Sequence, residues 1–166
     1  MRPEADQQPR RCLVTGGAGF IGSHVATRLV ARGDIVRVVD DLSTGQESNL
    51  RSVAADIDFV RGDLCDPDVC RTAVDGIDVV FHLAAIASVP ASLNDPWACH
   101  DANVNGTRRL LEACARAKVR RVVYSSSSSV YGDTPVSAKT EAAEPEPRSP
   151  YAASKLAGEQ YVLAFA

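Results

Sequence analysis

The stretch Cys12-Leu13-Val14-Thr15-Gly16-Gly17-Ala18-Gly19-Phe20-Ile21-Gly22 decides the fold. It opens with an apolar run that reads as a buried strand, and Gly16, Gly19 and Gly22 follow at three-residue spacing. The next segment, SHVATRLVARG, sets Val25, Leu29 and Val30 on one side and Arg28 and Arg32 on the other, which predicts an amphipathic helix. Strand, glycine turn and helix start, in that order, suit a pyrophosphate. The unpaired N–H groups and the dipole at a helix N-terminus favour negative charge, and glycines let the backbone approach closely. The following strand, DIVRVVD, ends at Asp40, eighteen residues beyond Gly22. A carboxylate there accepts hydrogen bonds from both hydroxyls of an adenosine ribose. Asp41 comes next, where a 2′-phosphate would need a basic residue, so the pattern predicts NAD rather than NADP. The bland alternative is a tight strand-to-helix turn with no ligand; the position of Asp40 weighs against it.

A chain of 166 residues is one domain of ordinary size, able to bury a real core. The net charge of -3, with both signs spread along the chain, argues against a nucleic-acid surface. The five cysteines are scattered, with no Cys-x-x-Cys pair or Cys/His cluster. They predict reduced, mostly buried thiols in a cytoplasmic protein, with no disulfide framework and no metal site. Residues 1–10, MRPEADQQPR, are polar with two prolines and are expected to be a disordered leader, followed by one domain over 11–166. No apolar run approaches membrane-spanning length.

Further along, IDFVRGD and IDVVFHLAA predict the third and fourth strands. Between them DPDVCRTAVDG predicts a helix with Asp66 as cap, Pro67 at its first position and Gly76 as its stop. ESNLRSVAA is expected to hold a short helix and AAIASVPASLNDP a loop. A long helix is expected from about Trp97 to Lys118, a fifth strand in VRRVVY, a proline-rich loop in DTPVSAKTEAAEPEPRS, and a last helix in YAASKLAGEQYVLAFA. Strands alternating with helices at this spacing give an α/β fold, a doubly wound parallel sheet of the Rossmann type. The expected strand order is 3-2-1-4-5, with the ligand crevice at the carboxyl ends of strands 1 and 4. His82 is expected to be a packed or hydrogen-bonded histidine, His24 and His100 surface or capping residues, and Trp97 a packing residue.

Tyr151 and Lys155 are four apart on the last helix and so share a face. A cation beside a phenol lowers the phenol's pKa and readies it to exchange a proton with a hydroxyl. The serine run from Ser125 to Ser129 ends a strand expected beside the same crevice, where a hydroxyl could orient that proton.

The motifs TGGAGFIGSH, DDLSTG, GDL, HLAA, SSSSSVYG and YAASK, in this order, resemble the extended short-chain dehydrogenase/reductase family. Within it they are most similar to the NAD-dependent sugar-nucleotide 4-epimerases of the UDP-glucose and UDP-N-acetylglucosamine type. The resemblance runs from Arg11 to Ala166. It implies that Gly16, Gly19, Phe20, Ile21 and Gly22 cradle the pyrophosphate. Asp40, Asp41, Ser43, Thr44 and Gly45 would surround the adenosine ribose, and Asp63 and Leu64 would bracket the adenine. Leu83, Ala84 and Ala85 would line the nicotinamide side, and Asn103 would be a structural and active-site asparagine. It further implies Ser127, Tyr151 and Lys155 as catalytic residues, with Lys155 on the nicotinamide ribose, and Ala87, Ser88 and Val89 beside the sugar.

Where related 4,6-dehydratases carry Thr-Asp-Glu, this chain has Ser127-Ser128-Ser129, which lacks the acid and base needed to lose water. The loop from Ala87 to Pro90 lacks the lysine of some UDP-galactose epimerases and leans towards N-acetylated sugars. Family members run well beyond this length. The resemblance therefore implies that the C-terminal lobe that grips the UDP-sugar is absent here. These 166 residues alone would keep the NAD motifs without turnover, and the full-length protein would be a homodimer. Two other readings stay open on the residues: a non-catalytic or truncated dinucleotide-binding module, and a sugar-nucleotide reductase or dehydrogenase.

Overall fold

The computed structural model describes residues 8–133 and 138–166. Five parallel strands form one sheet in the order β3-β2-β1-β4-β5: β1 (Arg11–Thr15), β2 (Ile35–Asp40), β3 (Ile57–Arg61), β4 (Val79–His82) and β5 (Arg121–Tyr124). This is the order expected from the alternation of strands and helices. The helices are α1 (Phe20–Ala31), α2 (Pro67–Val74), α3 (Val89–Asn94), α4 (Pro96–His100), α5 (Gly106–Ala117) and α6 (Pro150–Ala164).

The period of two along each strand divides the core between two faces. Cys12, Val14, Val36 and Val38 pack with Ala26 and Leu29 of α1 and with Leu50 and Val53. Leu13, Val39 and Val80 pack on the opposite face with Cys70, Ala73 and Val74 of α2 and Leu110 and Cys114 of α5. Burial on both faces explains why these strands read as continuous apolar runs. The edge strand β5 is less covered, and Val123 is 44% exposed.

The caps follow the sequence signals. Asp66 accepts a hydrogen bond from the Asp68 N–H at 2.8 Å ahead of Pro67, and Gly76 ends that segment with φ +69°. Ser149 caps α6 by accepting from the Ala152 N–H at 3.1 Å. Arg10 is already tied in, its N–H donating to Asp34 and its carbonyl accepting from Ile35. Residues 1–7 of the expected leader and residues 134–137 of the proline-rich loop lie outside the described residues.

Two segments and one side chain differ from expectation. The loop expected across AAIASVPASLNDP contains α3, capped by Ser88, which accepts from the Ala91 N–H at 3.2 Å. The helix expected from Trp97 to Lys118 is broken into α4, a π-helical turn from Asp101 to Asn105, and α5. Trp97, expected to pack, is 80% exposed. The five cysteines are free thiols, four of them buried, as expected. Among the described residues no helix is long and apolar enough to cross a membrane.

Candidate active site

The carboxyl ends of β1, β2, β4 and β5 open into one crevice of about 410 Å³. At its centre is the turn between β1 and α1. Gly16 has φ +64°, and a Cβ there would stand 2.7 Å from the Ala84 nitrogen. A Cβ on Gly22 would stand 2.2 Å from the Gly16 carbonyl oxygen and 2.7 Å from Gly17 Cα, so only glycine fits without moving backbone. Helix α1 starts on Gly19 with no side-chain cap and no acidic residue in its first turn. Its leading N–H groups are therefore left for an anion. Phe20 and Ile21, 78% and 59% exposed, line the crevice beside them.

Asp40, at the end of β2, is buried. Its Oδ2 accepts from the Ala18 N–H and its Oδ1 from the Leu42 N–H, both at 2.9 Å. The carboxylate thus braces the glycine turn while lining the crevice. Asp41 forms the next turn by accepting from the N–H and hydroxyl of Ser43. Asp41, Ser43, Thr44, Gly45, Asp63 and Leu64 line the same end. Leu83, Ala84, Ala85 and Ala87 form another wall, and Tyr151 and Lys155 close the crevice together with Ser125 and Ser126.

Four expected site residues stand back from this lining. Ser127 caps a short 3-10 turn, its Oγ accepting from the Ser129 N–H at 3.2 Å and pairing with the Ser129 hydroxyl. Ser88 caps α3 and Val89 begins it. Asn103 is fully buried behind the wall rather than facing the crevice. Its Oδ1 accepts from the Ile86 N–H at 2.8 Å, and its Nδ2 donates to the Ile86 carbonyl at 3.2 Å and to Ser154 Oγ at 2.9 Å. The π-helical turn that carries Asn103 is the kind of distortion that re-aims a side chain at a functional site.

The surroundings of Lys155 were not legible from the chain. Its ammonium, on a residue only 3% exposed, lies 4.3 Å from the centre of the Tyr124 ring, a cation–π contact. Burial lowers its pKa to about 8, partly opposed by the Glu159 carboxylate and by Cys99. Tyr124 donates its hydroxyl to the Lys155 carbonyl at 3.3 Å. Its own pKa is raised, first by burial, then by Glu159 and Tyr151. Gly158 makes this approach possible, because a Cβ there would stand 2.2 Å from the Tyr124 oxygen. Ser126 donates a short hydrogen bond to Glu159, which ties the serine segment to α6. Tyr124, Gly158 and Glu159 thus join the site without having been singled out; the glycine one turn after Ser154 was the only sequence signal for any of them.

A parallel sheet with a glycine cradle at the crossing of its strand order, and a carboxylate at the end of the second strand, defines a dinucleotide-binding protein. Residues 12–166 match the NAD dependent epimerase/dehydratase family, and the chain belongs to it. It is 46% identical over 156 residues to a UDP-glucose 4-epimerase of Mycolicibacterium smegmatis, covering 92% of this chain and 50% of that protein. It is 40% identical to a dTDP-glucose 4,6-dehydratase of Streptomyces niveus, with 93% and 49% covered. Among solved structures, it superposes with a TM-score of 0.87 on a UDP-glucose 4-epimerase of Thermus thermophilus in complex with NAD. That pair is 42% identical, with 93% of this chain and 50% of that one covered. A UDP-N-acetylglucosamine 4-epimerase of Methanobrevibacter ruminantium gives 0.89 at 37% identity, with 96% and 51% covered. The chain spans about half the length of the curated relatives it matches first. The cofactor of the family is NAD, and the glycine cradle and Asp40 fit it.

Proposed function

We propose that this chain is the cofactor half of a 4-epimerase acting on a nucleotide sugar, a UDP-hexose or UDP-N-acetylhexosamine, in the cytoplasm. The observation that carries the reading is that Tyr151 and Lys155 line the same crevice as the glycine cradle and Asp40. Bound NAD supplies a hydride acceptor and donor for C4 of the sugar. Tyr151 takes the proton of the 4-hydroxyl and returns it after the sugar has presented its other face. Lys155 holds positive charge beside that proton and meets the nicotinamide ribose. Ser127, at the head of its 3-10 turn, orients the sugar hydroxyl, and Ala87, Ser88 and Val89 border the sugar. The segment Ser127-Ser128-Ser129 offers hydroxyls and no carboxylate, which supports epimerisation over the dehydration catalysed by other relatives. Pairing with a second copy through the α5 and α6 side is part of the proposal, supported by the exposed Leu163 on α6.

The test is to incubate the full-length gene product, with its substrate half, with a panel of UDP-sugars and follow the epimeric products. Tyr151→Phe is expected to lower turnover by about 10²–10⁴-fold, the range for a positioned acid/base, with NAD affinity changed far less. Normal turnover in that variant would remove Tyr151 from the mechanism, and net NADH formation would point to a dehydrogenase instead.

A further inference from the structure

Beneath the crevice the polar groups form one chain of hydrogen bonds, and its donors can be assigned by elimination. The Thr107 hydroxyl lies 2.6 Å from the Asn103 carbonyl oxygen, which can only accept, so its single proton goes there. His82 Nε2, 2.8 Å from the same hydroxyl, must then carry a proton of its own. In a neutral ring Nδ1 is bare, and it accepts from the Thr15 hydroxyl at 2.7 Å. Thr15 Oγ1 accepts in turn from the N–H groups of Leu83 and Ala84, both at 3.1 Å. Burial first, and the Lys155 charge second, lower the imidazole pKa to about 3, which keeps the ring neutral.

The far end of the chain reaches the catalytic helix. Asn103 grips both backbone groups of Ile86 and donates to Ser154 Oγ. Ser154 donates to the Tyr151 carbonyl at 2.7 Å. The His82 ring also packs against Tyr124, centroids 5.6 Å apart, and Tyr124 carries Lys155 on its ring. One imidazole therefore connects the Leu83–Ile86 wall to the helix bearing Tyr151 and Lys155.

We infer that His82 is a positioning residue: its neutral ring, protonated on Nε2, sets the spacing between the Leu83–Ile86 wall and α6, so that the crevice is formed before the cofactor arrives. This rests on the crevice being the NAD site of the chain. Two measurements test it. Long-range ¹H–¹⁵N spectra of the unmodified protein are expected to show His82 as the Nε2–H tautomer. Thr107→Val keeps the shape but removes both the acceptor for Nε2–H and the donor to Asn103, and is expected to weaken NAD binding about tenfold, the order for one buried hydrogen-bond partner left unpaired. Thr107→Ser restores the hydroxyl and is expected to restore the affinity. An Nδ1–H ring would overturn the inference even if Thr107→Val fails to fold. So would a folded Thr107→Val protein that is less heat-stable yet binds NAD normally, because that is the mark of a structural role alone. Absence of NAD binding by the unmodified protein would instead overturn the cofactor reading of the crevice, whatever the tautomer.

Discussion

The buried ammonium of Lys155 makes the stability of this chain depend on alkaline pH in a way that can be worked out in advance. Its folded pKa of about 8 lies below the ordinary 10.5 of an unfolded chain. Between those values the unfolded chain binds the additional proton, so stability rises with pH, and below about 8 the contribution is absent. At about 1.4 kcal/mol per pH unit the whole gap corresponds to roughly 3 kcal/mol, of which roughly 2 kcal/mol falls between about pH 7 and 9.5. No discount for solvent screening applies, because the residue is fully buried. Lys155→Met preserves an unbranched chain of similar length and removes the charge. The assay is urea unfolding of both proteins across that pH range, with the difference in unfolding free energy plotted against pH. Groups that titrate alike in both proteins cancel. The difference is expected to move in favour of the unmodified protein by about 2 kcal/mol from pH 7 to 9.5. Opposite to this gain, the variant is expected to lose NAD affinity, since Lys155 lines the crevice. A flat difference would show that the ammonium is not held away from water in the folded chain and would refute the reasoning.

The cradle and the ribose site give two further expectations. Gly22→Ala forces a methyl group onto the Gly16 carbonyl oxygen; it is expected to destabilise the fold by roughly 2 kcal/mol or more and to abolish measurable NAD binding by calorimetry, and a variant with ordinary NAD affinity would contradict the close approach at this turn. Asp40→Ala removes the carboxylate expected to take the ribose hydroxyls and repel a 2′-phosphate, so the preference for NAD over NADP should narrow by about tenfold or more; equal dissociation constants for the two cofactors in the unmodified protein would refute this.

What the sequence by itself determined is whatever local hydrogen bonding and face burial write into it. The apolar runs around Leu13, Val38 and Val80 named three strands buried on both sides, and the alternation with helices was enough for the order β3-β2-β1-β4-β5. Asp66 and Pro67 marked the start of α2, because a cap acts on N–H groups two or three residues away. The glycine spacing and Asp40 placed the crevice, and the four-residue spacing of Tyr151 and Lys155 placed both on it. Helix α3 escaped because its six residues are too few to display a helical period.

The tertiary structure decided what lies around those residues. The parallel register of β4 and β5 pairs His82 with Tyr124, and that pairing brings Tyr124 beneath Lys155 from 31 positions away. The π-helical turn swings Asn103 behind the wall to Ile86 and Ser154. A side chain's partners across the sheet depend on register and on the approach of helix to strand, here set by the missing Cβ of Gly158. Neither is written in the spacing of residues along one element, because both exist only once distant segments are packed together.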